Sequence, residues 1–279
     1  MSVKDGIAMR RTCIPDRLRI TARLLLCLPA AIVVPGDTLH AQQPNSIEFT
    51  EHLIAGNYAY AYGIAAADFD ADGDLDLSSA DYTPHNRLYL YENDGNAGFH
   101  RHLVQENDPE RLERHMVGDI DHDGDLDIVI VKNLRGHLLW FENSGQPNSD
   151  QLWKRHVITE DLPGAYDVAL ADFNQDGYLD VAASSWVLGN QFAWFVNDGT
   201  PSDDPWMKHI IEDDVSETRT MRSADFVGDG DADLLGTIRQ EHTVVWYENQ
   251  PIDGGISWSS HIIDGTSVYP AHGNPADMD

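Results

Sequence analysis

"DFDADGDLDL", residues 68 to 77, places Asp68, Asp70, Asp72, Asp74 and Asp76 on alternate positions around one glycine, Gly73. The stretch recurs as "DIDHDGDLDI" from 119, "DFNQDGYLDV" from 172 and "DFVGDGDADL" from 225, and "DMD" begins at 277. The starts lie 51, 53, 53 and 52 residues apart, and a fixed period of tens of residues marks a repeat architecture. Two other signals keep this phase. "LYLYENDG" (88–95), "LLWFENSG" (138–145), "FAWFVNDG" (192–199) and "VVWYENQP" (244–251) begin 19 or 20 residues after their acidic stretches. An aromatic residue and a histidine three apart then follow, at Phe99/His102, Trp153/His156, Trp206/His209 and Trp258/His261, with one more copy, Phe49/His52, ahead of the first stretch.

Each unit reads as β-structure. Short apolar or alternating runs such as "LDIVIV" and "HLLWFEN" are bounded by Gly, Asn, Asp and Pro, and "NDG" is a hairpin turn signal because Asn and Gly tolerate positive φ. Four strands per unit at this period predict an all-β protein, a β-propeller of four-stranded blades. The units span about 59–104, 112–158, 165–211 and 218–263, giving four complete blades. A partial one is expected from 264–279, which breaks off inside its own acidic stretch, together with a strand at 48–54.

The acidic stretch has the chemistry of a cation loop. Oxygens at positions 1, 3, 5 and 9, with a glycine at 6 and a backbone carbonyl at 7, suit a hard ion with several oxygen ligands, Ca²⁺ better than Mg²⁺. Without an ion the carboxylates would repel one another. An EF-hand is excluded, since it needs a Glu at position 12 between helices, whereas Ser79, Ile130, Ala183 and Gly236 stand there. The expected ligands are Asp68, Asp70, Asp72, Asp74 and Asp76 in the first loop, and Asp119, Asp121, Asp123, Asp125 and Asp127 in the second. The third offers Asp172, Asn174, Asp176, Tyr178 and Asp180, trading one charge for an amide oxygen. The fourth has Val227 at position 3, so Asp225, Asp229, Asp231 and Asp233 form the weaker site beside three Ca²⁺ sites.

Charge and composition narrow the partners. Of 18 basic and 47 acidic residues, six basic and three acidic ones precede residue 42, so the remainder carries 12 against 44. Such a surface repels nucleic-acid phosphates and anionic lipids. The first 41 residues, with five arginines ahead of the apolar run "LLLCLPAAIVV" (24–34) and "LHA" at 39–41, read as a secretory signal peptide cleaved near Ala41. An 11-residue run is too short to span a membrane. Both cysteines, Cys13 and Cys27, fall within this leader, so the mature chain uses neither disulfides nor a thiol nucleophile. The expected location is secreted, periplasmic or cell-surface.

On its Asp-x-Asp-x-Asp-Gly-x-x-Asp loops the sequence resembles the FG-GAP/VCBS repeat family, over residues 46 to 279. The resemblance implies a calcium-binding β-propeller, usually closed by seven blades, of which this chain would hold a truncated part. The paired Phe-Gly and Gly-Ala-Pro motifs of integrin α-chains do not occur. The "W-F-E-N" and "W-x-x-H-x-I" segments are similar to those of bacterial secreted VCBS proteins, and of propeller domains in carbohydrate-active lyases, dehydratases and fungal lectins.

In such a blade the 1–2 and 3–4 loops share one face, which would carry the acidic loops. The opposite face, built from the 4–1 and 2–3 connections, is the expected ligand surface. Its variable positions include Arg114, His115, Tyr166, Asp167, Trp186, Arg222 and His272, a mixture of aromatic and charged chemistry suited to sugars. The repeated histidines and Trp140, Trp194 and Trp246 recur at the same place in successive units, which marks them as structural. No Gly-x-Ser-x-Gly, His-Glu-x-x-His or phosphate loop occurs. The sequence therefore implies a binding module for carbohydrate or an extracellular protein. The alternative is a carbohydrate-active enzyme, a polysaccharide lyase or sugar dehydratase, acting at the channel mouth.

Overall fold

Every repeat folds into four antiparallel strands in sequence order. The computed structural model describes residues 49–82, 85–149, 151–203 and 205–278. The chain divides into a unit ending at Thr50, of which only residues 49 and 50 are described, and a unit Glu51–Asp279 that carries every strand. The expected leader, 1–41, lies outside the described residues.

The first blade comprises β1 (Ala61–Ala67), β2 (Asp76–Asp81), β3 (Arg87–Asn93) and β4 (Phe99–Gln105). The second comprises β5 (Leu112–Gly118), β6 (Asp127–Lys132), β7 (His137–Glu142) and β8 (Lys154–Thr159). The third comprises β9 (Ala165–Ala171), β10 (Asp180–Ser185), β11 (Gln191–Val196) and β12 (Met207–Glu212). The fourth comprises β13 (Thr218–Ala224), β14 (Asp233–Ile238), β15 (Thr243–Ile252) and β16 (Gly255–Asp264). The first strands, β1, β5, β9 and β13, lie successively against one another, so the blades fan out from an inner edge as in a propeller.

The core lies between blades rather than within them. Three apolar clusters fill the three interfaces, around Leu90 and Phe141, around Trp140 and Phe195, and around Phe192 and Tyr247. A strand covered by a blade on each side has no wet face. Accordingly β6, "DIVIVK", and β10, "DVAASS", are buried at every position instead of alternating. The tryptophans at or near the start of the outer strands of the last three blades close interfaces: Trp153 meets Phe69 edge-on at 6.0 Å, and Trp258 meets Phe173 at 5.7 Å. The histidines three residues later stack on the tryptophan of their own blade, His156 on Trp140 at 4.2 Å, His209 on Trp194 at 4.9 Å and His261 on Trp246 at 4.4 Å.

Two expected elements are not strands. Residues 49–54 form none, and Phe49 and Leu53 are largely exposed. Extended chain becomes a strand only when a neighbour supplies ladder hydrogen bonds, and among the described residues no strand pairs with this segment. Residues 265–278 likewise form no partial blade. They cross to the inner strands, where Thr220 Oγ1 donates to the Ala271 carbonyl (2.9 Å) and Arg222 Nε to Asn274 Oδ1 (2.8 Å).

One motif ties neighbouring blades together. An asparagine at or near the end of the third strand presents its amide to two carbonyls in the last three blades: Asn143 Nδ2 donates to Leu126 in its own blade and to Phe69 in the preceding one, both at 3.3 Å. Asn197 does the same with Leu179 and Ile120, and Asn249 with Ala232 and Phe173. Asn93, in the first blade, reaches only Leu75, at an exposed site. Leaving a buried carbonyl unpaired costs about 1–3 kcal/mol. Asn143→Ala should therefore lower the thermal midpoint of the full chain by about 2–12 °C, at about 2–4 °C per kcal/mol for a chain of this size. Asn93→Ala should lower it by about 2 °C or less in the same melt.

Candidate functional site

The acidic loops connect the first and second strands of each blade, and their local geometry is nearly identical. Position 6 holds a glycine with φ of 97°, 98°, 96° and 94° in Gly73, Gly124, Gly177 and Gly230, a region that side chains resist. The position-1 carboxylate accepts backbone N–H groups across the turn: Asp68 from Asp72 (3.1 Å) and Gly73 (3.0 Å), Asp119 from Asp123 and Gly124, Asp172 from Asp176 and Gly177. In the fourth loop Asp225 takes Gly228 and Gly230 instead, which holds its carboxyl below the usual range.

Position 9 works differently. Asp127 accepts the N–H of Ile120, in its own loop, at 2.9 Å and that of Asn143, beyond the third strand, at 2.8 Å. Asp76, Asp180 and Asp233 repeat the pattern with Phe69/Asn93, Phe173/Asn197 and Phe226/Asn249. Each is buried at the base of its loop. Burial pushes the Asp127 carboxyl up to about 8 and that of Asp180 up to about 7, against the pull of those N–H groups and with the push of nearby carboxylates.

Two carboxylate triads result, Asp68/Asp70/Asp76 and Asp119/Asp121/Asp127, each offering oxygens within 4.8 Å of one another. The residues fit a hard cation. The donors are all oxygen, burial and neighbouring carboxylates push Asp70 and Asp121 up, and Asp121 Oδ1 is buried without a hydrogen-bond partner. At position 5, Asp72, Asp123, Asp176 and Asp229 each accept the N–H of position 7. The third loop has Asn174 in the triad, with Nδ2 donating to Asp176 Oδ2 at 2.9 Å. The fourth has Val227, half-exposed. The position-7 side chains face elsewhere: Asp74, Asp125 and Tyr178 lie against the turn glycines Gly95, Gly145 and Gly199, and Asp231 accepts from Gln175 of the preceding loop.

At the other end of the inner strands a second cluster forms. Each inner strand is bulged there: the register skips Gly63 in β1, Glu113 and Arg114 in β5, Tyr166 in β9, and Arg219 and Thr220 in β13. A bulge re-aims side chains that a regular strand would send into a blade interface. Arg114 is the hub. Its guanidinium donates to Tyr62 Oη (3.3 Å), Tyr166 Oη (2.8 Å) and His272 Nε2 (3.1 Å), and lies 3.9 Å over the Tyr166 ring. Arg219 bridges the Tyr166 and Trp186 rings at 4.5 and 4.4 Å. Arg222 pairs with buried Asp167 at 2.8 Å, and Arg111 pairs with fully buried Glu113.

Of the residues expected on this face, Arg114, Tyr166, Asp167, Trp186, Arg222 and His272 come together. His115 does not. It is buried between the first two blades, bonded to Ser78 Oγ through Nε2 at 2.8 Å and packed on Gly63, and burial pushes its imidazole down to about 4. The bulge sends Arg114 outward and His115 inward. Arg219, Glu113, Arg111 and Tyr62 complete the cluster. Counting six residues back from the first aspartate of each loop gives Tyr62, Glu113, Tyr166 and Arg219, a register visible in the sequence once the inner-strand start is fixed.

FG-GAP-like repeats match the chain over residues 68–130 and again over 119–183. A search of curated proteins finds no match. Among solved structures the chain is similar to an Agrocybe aegerita lectin described as recognising non-reducing terminal N-acetylglucosamine, with 17% identity, a TM-score of 0.49, and coverage of 74% of this chain and 52% of that one. It is also similar to a bifunctional GH43-CE protein from Bacteroides eggerthii (13%, TM-score 0.44, 74% and 28%). A third likeness is to the NanB sialidase of Streptococcus pneumoniae (13%, TM-score 0.43, 69% and 32%). The chain spans about half the length of the first and about a third of the other two.

The raised carboxyls fix a pH dependence for the cation-free protein. Folded Asp127 and Asp180 hold protons up to about 8 and about 7, whereas the unfolded chain releases them near 3.8. The folded state therefore binds more protons across that window, and stability falls as pH rises through it. Thermal midpoints in excess chelator should decline steadily from pH 5 to pH 8. A rising or flat profile would contradict the assignment.

Proposed function

We propose that the chain is a secreted, calcium-stabilised β-propeller that binds carbohydrate at the inner-strand cluster, on the face away from the acidic loops. The observation that carries this reading is the convergence of Tyr62, Tyr166, Trp186, Arg114 and His272, from three blades and the crossing segment 265–278, on one spot. Tyr166 stacks on His272 at 6.3 Å and tilts against Trp186 at 5.9 Å. Tyr166 is buried beneath Arg114 and Arg219, and the half-buried Tyr62 and Trp186 are the rings left beside fixed donors, the combination that sugar C–H faces and hydroxyls use. The basic, then apolar N-terminal segment supports export. Among the described residues no helix is long and apolar enough to cross a membrane.

Calcium fits three loops. The first two supply full triads, and the third keeps an oxygen at Asn174 with one charge fewer. The ion neutralises the carboxylates and holds the loop that aligns the first and second strands. The position-9 aspartates keep their two N–H partners in all four loops, so the fourth blade retains its hinge without needing an ion.

Calcium at a hundred times its Kd adds about 2.7 kcal/mol per site, so melts with calcium against chelator should differ by about 5–10 °C or more. Asp119→Ala should reduce the calorimetric stoichiometry by one ion. An unchanged midpoint on chelation would overturn the calcium reading. For carbohydrate, a glycan array probed with the full chain should give signals that Trp186→Ala abolishes while its calcium-dependent melt is kept. Signals insensitive to Trp186→Ala would move the site elsewhere.

A further inference from the structure

Charge pairing at the cluster says more about the ligand than its aromatic rings do. Beyond residue 41 the sequence has 12 Lys and Arg residues in a chain with formal charge −29. Nine of them form an ion pair with a carboxylate. Arg101 and Arg155 are exposed to solvent. Arg114 is the half-buried cation that has no carboxylate within 4 Å among the described residues, although the chain around it is strongly acidic. Its neighbours already have partners: Arg222 with Asp167, Arg111 with Glu113, and both Arg219 and Arg239 with Glu217.

Every group that Arg114 touches is neutral. It donates to two phenols and to the Tyr166 carbonyl, and burial raises the Tyr62 hydroxyl, which keeps it protonated. A guanidinium can only donate, so His272 Nε2 must accept from it and the ring is neutral at that nitrogen. Burial and then the Arg114 charge push His272 down, which agrees. A half-buried guanidinium whose direct contacts are all dipoles, with Glu113 and Asp167 acting on it only through space, retains an attraction for an anion, and the exposed His272 is the partner an incoming oxygen can displace. The planar fork of an arginine matches a carboxylate oxygen pair.

We propose that the saccharide bound here carries a carboxylate, which Arg114 receives in place of His272, with the half-buried Tyr62 and Trp186 rings at the edge of the site. This rests on the carbohydrate reading of the same cluster. One guanidinium without a direct carboxylate contact matches one negative charge. Densely sulphated chains are disfavoured, because the surrounding acidic surface repels a polyanion beyond the first contact.

Isothermal titration of the calcium-loaded full chain tests this. The probes are oligosaccharides ending in glucuronate, galacturonate or N-acetylneuraminate, each with its carboxyl-reduced counterpart and a sulphated analogue. At least one acid should bind roughly ten-fold or more tightly than its reduced form, the range of a charge-assisted pair. Arg114→Gln should bring that ratio to about one, and Arg114→Lys should keep part of it, with the calcium-dependent melt reporting that each variant is folded. Equal binding of acid and reduced forms, or a ratio that survives Arg114→Gln, overturns the carboxylate while leaving the carbohydrate reading intact. Tighter binding of the sulphated analogue overturns it in favour of sulphate. If no saccharide, acidic or neutral, binds the wild-type chain, both readings fall.

Discussion

The buried aspartate at position 9 of each loop is the constraint on which the rest depends. Its two oxygens are spent on backbone N–H groups from two places, the start of its own loop and the end of the third strand. It thus fixes the first, second and third strands of a blade relative to one another. The neighbouring asparagine then carries that fixed geometry across to the preceding blade. A carboxylate in so dry a position is costly unless positive charge is supplied, and in the first two loops the same residue completes the oxygen triad in which a cation would supply it. Cation binding and blade assembly are therefore one problem, because the ligand that most needs neutralising is the one that the strands hang from.

This coupling explains an asymmetry between the loops. Losing the position-3 carboxylate, as at Val227, removes a ligand and a repulsive charge together, and Asp233 keeps both N–H partners. The fourth hinge survives on hydrogen bonds alone. The second loop is crowded: Asp121 Oδ1 is buried without a partner, and Asp127 is pushed further up than Asp180 of the third loop. The loops therefore range from one that holds its shape unaided to one that is strained without an ion.

Much of this was legible in the sequence, because repetition converts weak signals into strong ones. The period, the strand count and the acidic loops follow from spacing alone, and the observed blades begin and end within about two residues of the expected units. Three things were hidden for physical reasons. The "EN" of each hairpin reads as turn chemistry, yet Asn143 acts through a carbonyl 74 residues away, which no local pattern encodes. The inner-strand bulges shift the alternation at one end of the strand, so His115 and Arg114, adjacent in sequence, part company. Residues 49–54 have the composition of an outer strand, but composition does not supply the neighbour that a ladder requires.

The bulges also account for why two chemistries coexist on one scaffold. A regular inner strand would hand alternate side chains to the interfaces on either side, and both interfaces are packed with apolar groups. An extra residue breaks that alternation at one end only, and the acidic loops occupy the other end, six residues on. The acidic loops can then be repeated nearly unchanged, as folding demands, while the bulged positions hold tyrosine, glutamate and arginine in different blades. Variation is tolerated there because the bulged residues are not the ones that hold the blades together. The fold confines its repetition to the face that carries the acidic loops and leaves the opposite face free to differ from blade to blade, which is what a single asymmetric ligand requires of a repetitive scaffold.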